Sequence, residues 1–383
     1  MALLLSPPVL KILCTIAALM LCCSVNPATA KEKEIEYDLA ISFDPARHLL
    51  NGTASIILRP GMGLNLDNAG LSVTGVMLRY QDGREVVPSL PAGSRFNLPA
   101  ESESRQLFIS YTTDTERSTE NLISSDGITL TDLWHPIPDR AMLFRLQAKL
   151  PKGLSAITES DHFPLPVDGD MVTGISSQPH QNLHFAAGPY VIDSLEVRQG
   201  LRVYSLFFPE DRDLAQDYLE AAVRYLQRYE KEIGPFPYPH YVIAANRRPT
   251  GLGMPAFTLL GQQVLRLPFI KDTSLGHEIV HSWFGNSVEV DLSGGNWCEG
   301  LTTFLADHAY RADQGQSAID RKERIINYLS YVNEKTAMPL AAFRSADHRV
   351  PQADALRATG YNRGTLLFAE LQEMLGEKVF TRV

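Results

Sequence analysis

Short stretches of alternating apolar and polar residues, separated by turn residues, dominate the chain from residue 35 to about residue 208. A period of two is typical of strands that bury one face. The clearest examples are Tyr37–Phe43, Gly52–Leu58, Arg105–Tyr111, Met142–Leu150 and Leu201–Phe208. This pattern predicts an all-β N-terminal domain. No cluster of histidines and acidic residues in it indicates separate chemistry, so a structural role is expected for this region.

The tripeptide Asn51-Gly52-Thr53 lies inside this β region and has two interpretations. It matches a glycosylation sequon, and Asn-Gly also favours the tight turn of a β-hairpin. With no host indicated by the sequence, a turn between two strands is the preferred interpretation.

Apolar residues change to helical spacing after Pro209. Intervals of three and four residues place one apolar face on a helix that Gly234-Pro235 ends; its members are Tyr218, Leu219, Ala222, Tyr225, Leu226, Tyr229 and Ile233. Further segments predict strands at Tyr241–Ala245 and Phe257–Leu260 and helices at Ile325–Val332 and Leu366–Leu375. We therefore expect a β domain over residues 31–208 and a mixed α and β domain over residues 209–383.

The first 30 residues have the composition of an export signal. Lys11 precedes an apolar stretch from Ile12 to Val25, and Ala28-Thr29-Ala30 forms a small-residue cleavage site. This stretch is shorter than the roughly 20 residues that a membrane-spanning helix needs. We expect an exported protein, periplasmic or secreted, that matures near Lys31 and makes no stable membrane insertion. An uncleaved N-terminal anchor is the alternative.

Composition and charge narrow the classes of function. A length of 383 residues exceeds the usual limit for one hydrophobic core and indicates more than one domain. The net charge of −9 argues against a nucleic-acid partner. Three of the four cysteines lie in the signal, so the mature chain keeps only Cys298 and can form no intrachain disulfide.

The strongest chemical signal is the pentapeptide His277-Glu278-Ile279-Val280-His281, which has the HExxH pattern of zinc hydrolases. Two histidines four residues apart share one face of a helix and can bind the same zinc ion. Glu278 is then free to act on a zinc-bound water. Ser274 is expected to cap this helix, and Gly285-Asn286 to end it.

A hydrolytic zinc site needs one more protein ligand, with the fourth position left for water. Glu299 is the best candidate, because it lies in a turn just before a second predicted helix and its carboxylate could face the first helix. The alternative is that Glu299 favours the helix N-terminus through the macrodipole.

These motifs resemble those of the gluzincin metallopeptidases of the aminopeptidase N type. The resemblance rests on HExxH followed by Trp283-Phe284-Gly285-Asn286, on Glu299-Gly300, and on Tyr361-Asn362-Arg363-Gly364, which is similar to the family's Tyr-Glu-Lys-Gly. It implies a thermolysin-like catalytic domain and one Zn²⁺ per chain. The implied roles are zinc ligands for His277, His281 and Glu299, general base for Glu278 and oxyanion donor for Tyr361.

Two positions depart from the family pattern. Seventeen residues separate His281 from Glu299, where the family usually has 18. The implied substrate-binding strand contains Gly253, Met254, Pro255 and Ala256, with Pro255 where the family has the glutamate that holds a free α-amino group. Proline carries no charge and no backbone N–H, which argues against ordinary aminopeptidase specificity.

The sequence therefore predicts an exported zinc metallopeptidase that hydrolyses peptide bonds in a peptide or protein substrate with a Glu-activated, zinc-bound water. Family members commonly continue into a C-terminal helical domain, which we expect to be absent or truncated here. The alternative function is a non-catalytic binding module that keeps the peptidase fold.

Overall fold

The computed structural model describes residues 34–88, 95–249, 251–345 and 350–382. In chain order its strands are β1 (Tyr37–Asp44), β2 (Leu49–Leu58), β3 (Leu64–Asp67), β4 (Ser72–Tyr80), β5 (Glu85–Val86), β6 (Arg95–Leu98), β7 (Arg105–Asp114), β8 (Leu122–Ser124), β9 (Gly127–Leu130), β10 (Ile137–Pro138), β11 (Phe144–Lys149), β12 (Ser155–Thr158), β13 (Val167–Asp168), β14 (Met171–Ile175), β15 (Phe185–Gly188), β16 (Val191–Arg198), β17 (Leu201–Phe207), β18 (His240–Asn246), β19 (Gly251–Met254) and β20 (Phe257–Gly261).

The α-helices of the same residues are α1 (Ala215–Glu232), α2 (Gln262–Leu265), α3 (Ser274–Val280), α4 (Cys298–Thr303), α5 (Ala309–Asp313), α6 (Ser317–Tyr331), α7 (Ala353–Arg357), α8 (Gly364–Leu375) and α9 (Glu377–Phe380). Two π-helical segments, Phe304–His308 and Ala358–Arg363, connect α4 to α5 and α7 to α8. Short 3₁₀ turns lie at Pro45–Arg47, Pro209–Leu214, Ile270–Asp272, Leu292–Gly294 and Leu340–Ala342.

Three sheets build the N-terminal region. The largest has the order β13-β14-β11-β1-β2-β7-β4-β5, and smaller sheets have the orders β10-β3-β6 and β12-β15-β9-β8. Buried and accessible residues alternate along β7, as the sequence pattern predicts. One hydrophobic cluster includes Tyr37, Leu64 and Phe185, one from each sheet, so the three sheets share a core. The predicted N-terminal β fold is confirmed.

A fourth sheet, with the order β16-β17-β18-β20-β19, forms the framework of the region that carries the HExxH motif. This sheet and the helices that follow it are called the catalytic region below. Its strands β17, β18 and β20 are parallel, and β19 is an antiparallel edge strand. Helix α1 packs Tyr218 and Leu226 into the same hydrophobic cluster as Val203 and Tyr241 of this sheet. The mixed α and β character predicted for this region is therefore confirmed.

The fourth sheet also joins the two predicted domains. It pairs two strands that precede residue 209 with three that follow it. A further cluster packs Ile157 and Ala186 against Leu206, Val242 and Phe257. The division of the chain at residues 208 and 209 stays a prediction, and it falls within one continuous hydrogen-bonded sheet.

The turn predicted at Asn51-Gly52 is wrong. Both residues lie inside β2, and the chain reverses earlier, where His48 has a φ of 55°. Gly52 is needed for a different reason: a Cβ there would overlap the ring of Tyr111 on the neighbouring strand β7. The glycine marks a close approach between strands and not a hairpin.

The predicted signal, residues 1–30, and the expected mature terminus Lys31 lie outside the described residues. Among the helices that the structure describes, none is long and apolar enough to cross a membrane.

Candidate active site

Two of the predicted metal ligands lie at the end of one short helix. His277 is in the last turn of α3, and His281 follows directly at its C-cap. Leu275 and Ile279 on the same helix are buried in the core of the catalytic region. Because that apolar face is held against the core, both imidazoles turn towards an open cleft, with ring centroids 5.0 Å apart.

The ends of α3 differ in part from the prediction. Ser274 is the first helical residue and not the cap; Thr273 holds the N-cap position, and its hydroxyl donates to the carbonyl of Phe269 at 2.8 Å. At the other end, Gly285 has a φ of +102° and Asn286 donates its side-chain amide to the carbonyl of His281 at 2.9 Å. The helix nevertheless ends earlier, at Val280 with His281 as its C-cap, so the predicted stop at Gly285-Asn286 lies in the turn that follows the helix.

Glu299 reaches the two histidines from the first turn of α4. Its Oε2 lies 3.7 Å from Nε2 of His277 and 3.5 Å from Nε2 of His281. These three side chains are the one group of metal-binding type found among the described residues, with ligand atoms within 4.8 Å of one another. The structure therefore brings together the three residues predicted to bind zinc.

The hydrogen-bond pattern tests whether these residues fit a metal ion. Nδ1 of His277 lies 2.9 Å from Oδ2 of Asp307, and Nδ1 of His281 lies 3.1 Å from the carbonyl oxygen of Phe284. Carboxylates and carbonyls accept hydrogen bonds, so in the neutral rings each Nδ1 carries the proton and each Nε2 presents a lone pair. Oε2 of Glu299 is buried without a hydrogen-bond partner. Three inward-facing lone pairs fit a zinc ion.

Charges in this cluster shift the pKa values of its members. Burial lowers the pKa of His277, but contacts with Asp307 and Glu299 outweigh burial and raise that pKa to about 9. Burial opposes ionisation of Glu299 as well, yet the two histidines hold the pKa of its carboxyl well below the ordinary value. A bound dication would replace the protons that these histidines otherwise attract.

Burial determines the direction of the pKa shift in Glu278, whereas charged partners determine it in His277 and Glu299. Desolvation raises the pKa of the Glu278 carboxyl above the ordinary value, which moves it towards the range useful for a general base. Glu278 lines a cleft of about 940 Å³ together with the three candidate ligands. A Cβ at Gly253 would lie 2.8 Å from its Oε2, so the edge strand β19 runs directly beside the carboxylate.

The four residues predicted to bind substrate differ in their access to the cleft. Gly253 lines the cleft, together with Gly251 and Leu252. Met254 and Ala256 are buried, and Pro255 is half-buried between them. Of this predicted set, the structure brings Gly253 to the cleft wall.

Tyr361 reaches the cleft from the second π-helical segment. Its ring lies parallel to that of His277, with centroids 6.4 Å apart. Burial and the nearby Glu299 raise the pKa of its hydroxyl, so Tyr361 keeps its proton and can donate it. Gly300 and Gly364 set this position, because a Cβ on Gly300 would come within 2.8 Å of the Cα of Gly364.

Asp307 is a functional residue that the sequence interpretation did not identify. It follows Glu299 by eight residues, which is more than two turns of a regular α-helix. The π-helical segment Phe304–His308 takes up the surplus, so Asp307 faces His277 from the same side as Glu299. An acidic residue after the third ligand was visible in the sequence, but its partner was not.

Cys298 precedes Glu299 and has a structural environment. It is 3% exposed, and its Sγ lies 3.0 Å from the carbonyl oxygen of Phe284 and 3.4 Å from Nδ1 of His281. Its contacts support the backbone that orients His281.

The segment that carries the site matches a known family. Residues 271–383 match the Peptidase family M1 domain. Two proteins of Saccharomyces cerevisiae, the mitochondrial aminopeptidase 2 and the alanine/arginine aminopeptidase, are 24% and 26% identical to this chain over 241 and 213 residues. These matches cover 56% and 50% of the chain. The chain spans about a quarter of the length of these curated relatives, with 24% of each covered.

Solved structures share the fold. An M1 zinc metallopeptidase from Deinococcus radiodurans superposes with a TM-score of 0.67 at 17% identity, covering 91% of this chain and 83% of the other. The native LTA4 hydrolase from yeast superposes with a TM-score of 0.67 at 18% identity, covering 96% of this chain and 64% of the other. The succession of a β-rich region and a mixed α and β region is common to them.

Proposed function

This chain belongs to the M1 family of gluzincin metallopeptidases, and from that premise we propose that it hydrolyses peptide bonds in the cleft around His277, His281 and Glu299. One observation carries the proposal: three ligand atoms within 4.8 Å converge beside a half-buried carboxylate, Glu278, that lines the same cleft and is not among them. A structural metal site would not require Glu278 there.

When bound, zinc would polarise the scissile carbonyl and lower the pKa of the attacking water. Glu278 takes the proton from that water, and its raised pKa suits it to pass the proton on to the leaving amine. Tyr361 donates its hydroxyl proton in a hydrogen bond to the oxygen on which negative charge develops. Asp307 holds the His277 ring in position throughout.

Substrate binding follows from the exposed edge of the fourth sheet. Strand β19 pairs on one side with β20 and is the last strand of that sheet. An extended peptide can add to such an edge through backbone hydrogen bonds, and Gly253 lets its backbone approach Glu278 closely. Pro255 in this segment offers no carboxylate for a free α-amino group. We therefore propose peptidase action that does not depend on a free N-terminus.

A comparison of free and N-acetylated peptides tests this proposal. Zinc content and hydrolysis of a mixed peptide library are measured for the chain from Lys31, for Glu278→Gln and for Glu334→Gln, an exposed control outside the cleft. We expect one zinc per chain in all three and cleavage of both peptide types by the wild type and the control. Cleavage should fall by roughly 10²- to 10⁴-fold in Glu278→Gln.

Other outcomes have definite meanings. Stoichiometric zinc with no turnover of any peptide would favour the non-catalytic binding module. Cleavage confined to free N-termini would show that another group replaces the missing glutamate. A chain without zinc would contradict the ligand assignment.

Export is part of the proposal and is supported by the N-terminal sequence. The apolar stretch from Ile12 to Val25 and the motif Ala28-Thr29-Ala30 suit a cleaved signal. N-terminal sequencing of the chain after expression with its leader tests this. A start at Lys31 in the periplasmic or secreted fraction is expected, whereas an intact N-terminus in the membrane fraction would favour the uncleaved anchor.

A further inference from the structure

The cleft holds an arginine that the proposed mechanism does not use. Arg357 is the last residue of α7, four residues before Tyr361, so the two side chains share one helical face. Its guanidinium carbon lies 6.0 Å from the centre of the Tyr361 ring. The side chain is exposed and lines the same cleft as the candidate zinc ligands.

Every other charged side chain of the cleft already has a partner or a place in the proposed mechanism, apart from the exposed Asp354. Arg324 binds Asp320 through Nε at 2.7 Å and Nη2 at 3.2 Å. The carboxylates that line the cleft are Glu278, Glu299, Asp307 and Asp354. None of the carboxylates in the described part of the chain forms an ion pair with Arg357.

Close to Tyr361 the cleft thus offers a cation to an acid, whereas the segment that follows β19 offers no carboxylate to an amine. Pro255, directly after the edge strand β19, stands where the family has a carboxylate for an α-amino group. Arg357, which has no carboxylate partner among the described residues, lies beside Tyr361. A guanidinium is suited to binding a carboxylate through two hydrogen bonds.

Resting on the proposed function, we propose that Arg357 binds a substrate carboxylate close to the scissile bond. Extended peptide advances about 3.3 to 3.6 Å per residue, so the 6.4 Å from His277 to Tyr361 and the 6.0 Å from Tyr361 to Arg357 together span at most about four residues of substrate. The carboxylate is either the side chain of an acidic residue or the C-terminus of a short peptide.

Four N-acetylated peptides of one sequence separate these sources: glutamate or glutamine at the positions flanking the scissile bond, each with a free or amidated C-terminus. The measured quantity is the ratio of kcat/KM for acid over amide. We expect a ratio of about tenfold or more in the wild type, since a hydrogen bond to a charged group contributes on that scale. The pair of peptides that shows the ratio identifies the source.

Arg357→Gln should bring this ratio close to one, and Arg357→Lys should restore part of it. Arg117→Gln, an exposed arginine of the N-terminal region, is the matched control and should keep the wild-type ratio. A change in Tyr361 caused by losing its neighbour would affect acid and amide alike, so the ratio isolates charge recognition.

Calorimetric binding of the same peptides to zinc-loaded Glu278→Gln supplies a readout that needs no turnover. Preferential binding of the acid, lost on adding Arg357→Gln, would support the inference even if the wild type cleaved nothing, in which case the proposed function alone would fail. Equal binding and equal cleavage of acid and amide by the wild type would overturn the inference, as would an acid preference that survives in Arg357→Gln.

Discussion

Two buried carboxylates, each beside histidines, show how differently the two regions of this molecule use buried charge. In the N-terminal region, Glu159 accepts hydrogen bonds from Nδ1 of His184 at 2.7 Å and from the His184 backbone N–H at 2.9 Å. In the catalytic region, Oε2 of Glu299 is buried without a hydrogen-bond partner although two imidazoles lie beside it. A satisfied carboxylate stabilises the fold, whereas an unsatisfied one is arranged for a ligand.

The regularity of the backbone also differs between the two regions. The helix that supplies Glu299 continues into one π-helical segment, and Tyr361 lies within the other; this rare geometry is frequent at functional sites. In the N-terminal region, β2 and β7 pair residue by residue over their full lengths. Both π-helical segments therefore lie where side chains must converge on one point.

The sharpest test of this comparison replaces Glu159 and Glu299, one at a time, by glutamine. Glu159→Gln removes the charge of a buried carboxylate that is bonded to a partly exposed histidine, and should lower the free energy of unfolding by about 1.5 to 3 kcal/mol while leaving zinc content unchanged. Glu299→Gln should lose zinc, with a much smaller effect on the stability of the zinc-free protein. Urea unfolding and metal analysis of both variants measure this, and the same response in both would contradict the contrast.

Tyr361→Phe should have the next largest effect, confined to catalysis. Loss of an oxyanion donor is worth about 2.7 to 4 kcal/mol of transition-state stabilisation, so kcat should fall by roughly 10²- to 10³-fold with zinc content preserved. Steady-state kinetics on the best peptide provide the measurement. Tyr328→Phe, on the accessible helix α6, is the control and should keep its activity. Unchanged kcat in Tyr361→Phe would remove this tyrosine from the mechanism.

Acid should destabilise the N-terminal region through His135. Burial lowers the pKa of His135 to about 4, against an ordinary value of 6.5. As the pH falls from 6.5 to 4, the unfolded chain takes up a proton that the folded chain refuses, so up to about 3 kcal/mol of stability is progressively lost. Trp134 packs edge-on against His135 and reports this transition by fluorescence in a Trp283→Phe, Trp297→Phe background. His135→Gln should flatten the pH slope; parallel slopes would refute the assignment.

Asp307→Asn should produce the smallest change. Asparagine can still accept the hydrogen bond from Nδ1 of His277, but it carries no negative charge. Hydrogen-bond partners of metal ligands typically contribute about 10- to 100-fold to metal affinity. Competition with a zinc chelator gives the dissociation constant. Asp313→Asn, whose carboxylate binds Arg228 on the far helix, is the matched control. An unaltered zinc affinity would mean that the Asp307 contact is not coupled to the metal.

Much of the catalytic region was predictable because its helices and strands are determined by the spacing of apolar residues within each segment. The apolar stripe of α1, the strands β18 and β20 and the helix α8 follow from residue periodicity. Side chains fixed by packing were harder to predict. Gly52 was assigned to a turn because Asn-Gly is a turn signal, although the residue serves an interstrand contact with Tyr111. The cap of α3 is Thr273 and not Ser274, since Ser274 adopts helical geometry.

By itself, the sequence determined the chemistry that spacing can encode: two histidines on one helical turn, an acidic residue between them and a β-rich region followed by a mixed one. Those features depend on neighbours within a few residues. Tertiary structure alone decided that Glu299 meets both histidines with an unsatisfied oxygen, that Asp307 orients His277, and that Arg357 shares the cleft with Tyr361. The reason is physical, because these contacts depend on how closely separate helices approach and on where a helix loses its regular turn.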